Sequence, residues 1–194
     1  MRPRENPAIG ELRGRLIRLR PFQPEEIEYA WQGLALQDEA AHPRRTREDW
    51  RAQPSDRFRR RLTRSGKFWR GCLDLAIERE AKLIGDIQAR TSPTQTLPNG
   101  VFEVGVILHQ TEDRGKGYGR EAVELLTGWL FAVAGAERVQ ASTDVANSAM
   151  RSVLEALGFC FEGVMRALGS RSDGSRIDGA MYAIIRSDWV NRSR

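Results

Sequence analysis

The sequence predicts a mixed α/β (α+β) fold in one domain, and three observations lead to that class. Residues Val101–Leu108 form an apolar run rich in β-branched side chains, which is typical of a buried strand. Between Ala122 and Val133, apolar residues recur at helical spacing. The chain has 194 residues, enough for one substantial core, and neither an internal repeat nor a linker divides it. We therefore expect residues 1–194 to form a single domain.

The N-terminal part predicts one strand followed by helices. Residues 1–11 are expected to be a flexible arm, and the alternating residues 12–22 suit a half-exposed strand. A proline and two glutamates then open a helix over residues 24–34. Residues 46–62 predict a second, arginine-rich helical region that is broken at Pro54.

The rest of the chain alternates strands with loops and two further helices. Asn147 is a predicted helix N-cap, and Gly158 ends that helix. Residues 91–100 and 170–175 are expected to be loops. The segments predicted as strands are residues 68–77, 82–90, 101–108, 137–143, 160–168 and 177–185. With the first strand they make about seven strands, flanked by about four helices.

A basic, glycine-rich turn joins the buried strand to the helix that follows it. Its sequence is Arg114-Gly115-Lys116-Gly117-Tyr118-Gly119. Alternating glycines let the backbone approach a ligand closely, and a helix N-terminus offers free amides to an anion. We therefore expect an anionic ligand, and a pyrophosphate fits best. The spacing matches neither the dinucleotide fingerprint nor the mononucleotide loop. A flexible basic connector is the alternative interpretation.

The charge and composition of the chain limit the kinds of molecule that we expect it to bind. The net charge is +5, and arginines cluster in residues 13–20, 44–51 and 57–70. No recognisable nucleic-acid module is present, so we expect a solvated surface that helps to steer a polyanionic cofactor. No apolar run reaches the roughly 20 residues of a membrane span, and the N-terminus lacks a secretory signal. Cys72 and Cys160 are too few for a disulfide framework or a metal site. A cytoplasmic protein without a metal is the simplest expectation.

Several ordered blocks of the chain resemble one protein superfamily. The turn reads R-x-x-G-x-G, residues 144–159 resemble an N-x-x-S/A…LGF block, and residues 177–189 resemble a closing strand and tail. With the opening strand at residues 16–21, these blocks resemble the GCN5-related N-acetyltransferase (GNAT) superfamily and its RimJ/RimL-type branch. The resemblance implies a mixed, mostly antiparallel central sheet that is splayed between its fourth and fifth strands. It also implies acetyl-CoA as the cosubstrate, bound in that gap.

The resemblance assigns residues to the binding of acetyl-CoA. In the splayed strand, Val106, Ile107 and Leu108 would offer backbone groups to the pantetheine arm. Asn147 matches the asparagine that helps to hold the pantetheine end, although a plain helix N-cap is the alternative. The pyrophosphate would lie on the turn and the helix start, whose residues are Arg114, Gly115, Lys116, Gly117, Tyr118, Gly119 and Arg120.

Acetylation of an amine needs a base, and Glu103 is the candidate. Alternation along the strand puts Glu103, Ile107 and His109 on one face unless a bulge intervenes. Glu103 would act directly or through a water. An exposed strand carboxylate without a catalytic role is the alternative for Glu103, and we expect His109 to lie in solvent at the strand end.

The general acid that is usual in this superfamily is missing. Relatives place a tyrosine seven residues after the asparagine, where this chain has Leu154, and some place a serine where it has Met150. Tyr118 belongs to the turn and is not expected to serve, so solvent would protonate the leaving thiolate. Cys160 begins a strand and is expected in the core, and no His–Cys pattern supports a covalent acetyl-cysteine route.

These expectations together describe an acetyl-CoA-dependent N-acetyltransferase that acts on a primary amine by direct transfer. The acceptor would be a protein N-terminus, as the branch resemblance suggests, or a small-molecule amine such as an antibiotic or an amino sugar. Acceptor loops vary on a constant fold, so this choice stays open. A non-catalytic acyl-CoA-binding sensor or interaction module is the alternative, supported by the missing tyrosine. A nucleic-acid binder is a third interpretation, and a homodimer is left open.

Overall fold

A computed structural model describes residues 7–35, 54–91, 99–170 and 174–192 of the chain. Several sequence predictions lie outside these residues. They are the first six residues of the arm, the start of the arginine-rich helical region, and the central parts of the two predicted loops.

The described strands form one mixed sheet in the order β1-β2-β3-β4-β5-β6-β8-β7. Neighbouring strands are antiparallel except β5 and β6, which run parallel. The predicted mixed, mostly antiparallel sheet is therefore confirmed. The strands are β1 (Leu12–Arg13), β2 (Arg18–Arg20), β3 (Cys72–Arg79), β4 (Lys82–Arg90), β5 (Val101–Leu108), β6 (Arg138–Asp144), β7 (Cys160–Ser170) and β8 (Arg176–Ile185).

Two of the helices of the described chain begin at a side-chain cap. Ser55 accepts a hydrogen bond from the Phe58 amide at the start of α2, and Asn147 accepts one from the Met150 amide at the start of α4. None of these helices is both long and apolar enough to cross a membrane. They are α1 (Ile27–Ala35, after a 3-10 turn at Pro24–Glu26), α2 (Asp56–Leu62), α3 (Tyr118–Ala132), α4 (Ser148–Ala156) and α5 (Arg186–Arg192).

The N-terminal segment differs from its prediction in two ways. The expected single strand over residues 12–22 is two short strands, because the chain reverses between them and the Gly14 amide donates to the Ile17 carbonyl at 2.9 Å. The expected flexible arm is anchored at Ile9, which is buried and whose amide donates to the Gly66 carbonyl. The extra turn explains why the described residues form eight strands where about seven were expected.

Apolar side chains pack on both faces of the sheet. The core beneath α3 and α4 includes Val104, Leu126 and Leu154, all of them buried. The second core lies beneath α1 and α2, where the rings of Trp31 and Phe58 meet edge to face with centroids 4.9 Å apart. Because helices cover both faces, the central strands that carry the candidate site are held from either side.

A buried ion network fixes the start of α1 on the sheet. The Glu78 carboxylate accepts hydrogen bonds from Nε of Arg18 and from Nε of Arg20, each at 2.5 Å. Arg20 also donates to both carboxylate oxygens of Glu26, at 2.8 and 2.5 Å. Burial raises the pKa of Glu78, but the hydrogen bonds from the two guanidinium groups outweigh burial and hold that pKa below its ordinary value. The network therefore depends on an ionised Glu78.

Strands β5 and β6 pair at one end only and leave a gap at the other. Their register joins Val101 to Arg138 and Glu103 to Gln140, with one pair between. In the described chain no β6 residue pairs with residues 104–108, although β4 stays paired with that part of β5. These are the strands counted fourth and fifth in the prediction, so the gap lies where the resemblance implied.

Candidate active site

The glycine-rich turn lies between a 3-10 helix at Thr111–Asp113 and the start of α3. Gly115 and Gly117 have φ angles of 73° and 87°, in the left-handed region where other residues are strained. Gly117 is the N-cap of α3. Within the described ranges, no backbone carbonyl accepts a hydrogen bond from the amides of residues 115–120. These amides can therefore bind an anion at the helix N-terminus.

Open space beside the turn suits a ligand that approaches the backbone. A Cβ atom at Gly115 would meet nothing within 4 Å, and one at Gly119 would meet only Leu108 Cδ1, at 3.9 Å. Lys116 and Arg120 are exposed next to these positions. Amide donors, unfilled space and two cationic side chains are what a pyrophosphate group requires, so the residues present fit the diphosphate of coenzyme A.

Tyr118 can offer a ligand its amide but not its side chain. The phenol ring is buried, with 5% of the residue exposed, and the Arg79 guanidinium carbon lies 5.0 Å from the ring centroid. The expectation that Tyr118 is not the general acid therefore agrees with its position in the core.

The turn between β1 and β2 braces the start of α3. The Glu121 carboxylate, one turn into the helix, accepts hydrogen bonds from the amides of Arg15, Leu16 and Ile17 at 2.8–2.9 Å. A Cβ atom at Gly14 would lie 2.5 Å from that carboxyl group, so only glycine leaves room for the contact. The first turn of α3 is thus held from the side of the N-terminal hairpin.

The gap is open at the carboxyl ends of β5 and β6, where the glycine-rich turn and the Asn147 segment begin. Because these strands are parallel, their carboxyl ends meet at one edge, where ligands bind in open sheets. The glycine-rich turn follows β5, and Asn147 follows β6. Val106, Ile107 and Leu108 pair with β4 on one side, border the gap on the other, and are half-buried. A ligand in the gap would therefore meet all three predicted elements.

Glu103 lies at the closed end of the gap, in the last residue pair that joins β5 to β6. Its Oε1 accepts a hydrogen bond from Arg90 Nη2 at 2.5 Å, and its Oε2 accepts one from Gln140 Nε2 at 3.5 Å. The side chain is 23% exposed, so it is reachable from solvent. The register between β4 and β5 runs without a shift through Gly105, so the bulge that would have turned these side chains away is absent from this ladder.

Sequence reasoning missed Gln140, which contacts the Glu103 side chain from β6, and Arg138, which contacts Gln140. Gln140 is 8% exposed, and its Oε1 accepts a hydrogen bond from Arg138 Nε at 3.1 Å. Arg138 in turn donates both terminal nitrogens to Glu162 on β7, at 2.6 and 2.5 Å. The alternation of Arg138 and Gln140 about a buried valine signals one face of a strand, but their partners lie far away in sequence.

The prediction for His109 is wrong, because the residue is 1% exposed rather than solvated. Helix α1 covers the end of β5, and the imidazole contacts Tyr29 edge to face with centroids 5.9 Å apart. A Cβ atom at Gly33 would lie 2.4 Å from the ring, so glycine makes room for it. The Nε2 atom lies 3.0 Å from Asp86 Oδ2, which places the ring within the packed sheet–helix interface.

Helix α4 carries Leu154, which stands where the resemblance implies a tyrosine as general acid. Asn147 is the N-cap of α4, since its Oδ1 accepts from the Met150 amide at 3.1 Å, and its side chain remains exposed. Leu154 is fully buried in the core. The buried phenol of Tyr182 donates to Glu155 Oε1 at 2.7 Å and accepts from Arg151 Nε at 3.1 Å, so it is held within a side-chain network.

The prediction for Cys160 is also wrong, because the residue is exposed rather than part of the core. It begins β7, which is the outer strand of the sheet, and most β7 residues are exposed. An outer strand has a neighbour on one side only, so a strand-like run of apolar residues need not be buried there.

In the described part of the chain, no group of three or more His, Cys, Asp and Glu side chains is placed to hold a metal ion.

Comparison with known proteins gives a consistent family. The sequence model of the acetyltransferase (GNAT) domain matches residues 16–160. A structure described as an acetyltransferase from T. thermophilus is similar at a TM-score of 0.69 and 26% identity, over 93% of this chain and 92% of that one. Comparison with curated proteins gave no match.

Two ribosomal-protein acetyltransferases share the fold. The alanine acetyltransferase from Vibrio fischeri has a TM-score of 0.69 and 22% identity, over 92% of this chain and 98% of its own. RimL in complex with coenzyme A has a TM-score of 0.70 and 17% identity, over 90% of this chain and 97% of its own.

Proposed function

The chain belongs to the GNAT acetyltransferase family and is an N-acetyltransferase, and from this premise we propose that it transfers an acetyl group from acetyl-CoA directly to a primary amine. One observation carries the proposal. Glu103 lies at the closed end of the gap between β5 and β6, and the open end of the same gap meets the glycine-rich turn. A carboxylate and an anion-binding turn along one gap suit a reaction whose donor carries a diphosphate at one end and a thioester at the other.

The turn, β5 and α4 would hold the donor. Amides and cationic side chains of residues 114–120 would bind the diphosphate. On the side of β5 that faces the gap, away from β4, the backbone of Val106, Ile107 and Leu108 would bind the pantetheine arm as an added strand does. Asn147 is committed to its N-cap bond, but its exposed amide nitrogen can still donate to the pantetheine end. Acetyl-CoA supplies the activated acetyl group as a thioester.

Glu103 would accept the proton that the attacking amine loses. The amine nitrogen forms a bond to the thioester carbonyl carbon, the carbon–sulfur bond breaks, and Glu103 takes the amine proton directly or through a water. Among the described residues, each Glu103 oxygen accepts one hydrogen bond, so a lone pair on each remains for this proton. Solvent would protonate the departing thiolate, because a buried leucine stands at the position where relatives carry a tyrosine.

We propose a protein N-terminal amine as the acceptor, with a small-molecule amine as the alternative. The blocks that resemble the RimJ/RimL-type branch support this choice, and two neighbours in fold are described as ribosomal-protein acetyltransferases. Arg90 donates to the Glu103 carboxylate and is 51% exposed, so an acceptor with an acidic group beside its amine would suit the site electrostatically.

A donor-binding protein without turnover is the second candidate, and the buried Leu154 is the observation that favours it. Purified protein with acetyl-CoA and a panel of peptides and small amines separates the two. We expect free thiol to appear in step with acetylated acceptor, and Glu103→Gln to lower the rate about 100-fold or more while coenzyme A still binds. Tight binding of coenzyme A with no thiol release for any amine would establish the second candidate instead.

A further inference from the structure

A chain of four polar side chains reaches from the outer strand of the sheet to the proposed base. Glu162 on β7 binds Arg138 on β6 through two hydrogen bonds, Arg138 binds Gln140, and Gln140 binds Glu103. The side chains lie on the sheet face opposite buried Val139. The chain crosses β8 and ends at the last pair before β5 and β6 separate.

The orientation of the Gln140 amide follows from its neighbours. Arg138 Nε can only donate, so the atom of Gln140 that faces it at 3.1 Å must be the amide oxygen. The amide nitrogen then points to Glu103 Oε2. Arg138 is itself held by a bidentate contact with Glu162, whose geometry fixes the plane of the guanidinium group. The register between β7 and β8 shifts at Phe161 and Gly163, a bulge that includes Glu162 and can re-aim its side chain.

The consequence for Glu103 is that both carboxylate oxygens are fixed from opposite sides. Arg90 on β4 binds Oε1, and Gln140 on β6 binds Oε2. A carboxylate held in this way has a set plane and presents its remaining lone pairs in set directions. Proton transfer depends on that alignment, and a shift of about 1 Å can lower a rate about 100-fold.

We propose that Gln140 is a positioning residue for Glu103, and that Arg138 and Glu162 hold Gln140 in the orientation that this role requires. The inference rests on the proposed function of Glu103 as the base. Gln140 and its two supporting residues act on the rate of the chemical step and leave the binding of acetyl-CoA unchanged.

Substitutions at Gln140 distinguish hydrogen-bond donation from packing. Gln140→Met keeps the length of the side chain and introduces no charge beside Glu103 but cannot donate to it, whereas Gln140→Leu also changes the shape of the side chain. We expect each variant to lower kcat about tenfold or more, with the KM for acetyl-CoA within about twofold of the original chain. If packing alone mattered, Gln140→Met would keep the original kcat, and that result would overturn the proposal.

Variants of Arg138 and Glu162 are compared with a control variant at the exposed residue Glu137. Arg138→Lys keeps the positive charge, but a single ammonium group cannot bind Glu162 at two points while it also donates to Gln140. We therefore expect kcat to fall nearly as far as in Gln140→Leu. Glu162→Gln weakens the same contact, and we expect a fall of about threefold. Glu137→Gln, whose side chain is 69% exposed and binds Arg186, makes the same chemical change outside the chain of contacts and serves as the control.

Outcomes for the proposed function and for this inference can be separated. Thermal unfolding and coenzyme A affinity of every variant show whether it is folded. If folded Gln140→Leu and Arg138→Lys turned over like Glu137→Gln, the positioning role would be refuted while the acetyltransferase proposal stood. If the original chain released no thiol with any amine, the proposed function would fail and the positioning role with it.

Discussion

Two substitutions in the glycine-rich turn should change stability in opposite directions while both weaken the binding of coenzyme A. Gly119 has a normal helical φ and free space beside it, so Gly119→Ala should raise the free energy of unfolding by about 0.5–1 kcal/mol. Gly117 has a φ of 87°, so Gly117→Ala should lower it by about 1–2 kcal/mol. For a chain of this size, each kcal/mol moves Tm by about 2–4 °C.

The expected loss of affinity has a different cause from the change in stability. The methyl group at Gly119 meets protein only at 3.9 Å, so it would occupy the space that we assign to the diphosphate. We expect the Kd for coenzyme A to rise about tenfold or more, equivalent to about 1.4 kcal/mol, in a variant with an increased Tm. Calorimetric titration and thermal unfolding measure the two quantities separately. A Gly119→Ala protein that binds coenzyme A as tightly as the original chain would refute the placement of the diphosphate on this turn.

Three further predictions concern individual carboxylates. Glu103→Gln should lower kcat about 100-fold or more and leave Tm within about 2 °C, and an unchanged kcat would exclude Glu103 as the base. Glu121→Ala removes three hydrogen bonds from backbone amides and should lower the free energy of unfolding by about 2 kcal/mol, measured with denaturant. Gly14→Ala should also destabilise the chain, because its methyl group would displace the Glu121 carboxyl group. If neither variant lost stability, the contact between Glu121 and the N-terminal hairpin would not stabilise the fold. The Glu78 pKa lies below its ordinary value of 4.5, so its contribution is fully present above pH 4.5 and is lost as pH falls through the folded pKa. Glu78→Gln should therefore cost about 3 kcal/mol at pH 7 and flatten the acid side of the stability profile, and a profile as steep as the original would show that other groups control it.

Local patterns were sufficient to predict the elements that form the proposed donor site. The β-branched run of β5, the glycines of the turn and the Asn147 cap each act through neighbours a few residues away, and such contacts leave a mark in the sequence. The same holds for β4, whose bounds at Lys82–Arg90 agree with the predicted strand.

The wrong predictions concern residues whose surroundings depend on segments far away in the sequence. His109 follows a strand and was expected in solvent, but a glycine and a tyrosine of α1 enclose it, and nothing near residue 109 reveals that helix. Cys160 is exposed because β7 is the outer strand, which depends on the strand order of the whole sheet. Gln140 could not be linked to Glu103 without the parallel register of β5 and β6.

The brace at Glu121 couples two parts of the chain that are far apart in sequence. The same helical turn accepts the Arg15, Leu16 and Ile17 amides on one side and presents the proposed donor site on the other. A ligand that binds only the folded helix start stabilises whatever unfolds together with it. Hydrogen exchange of these three amides should therefore slow when coenzyme A binds, and the N-terminal hairpin would act as a reporter of donor occupancy.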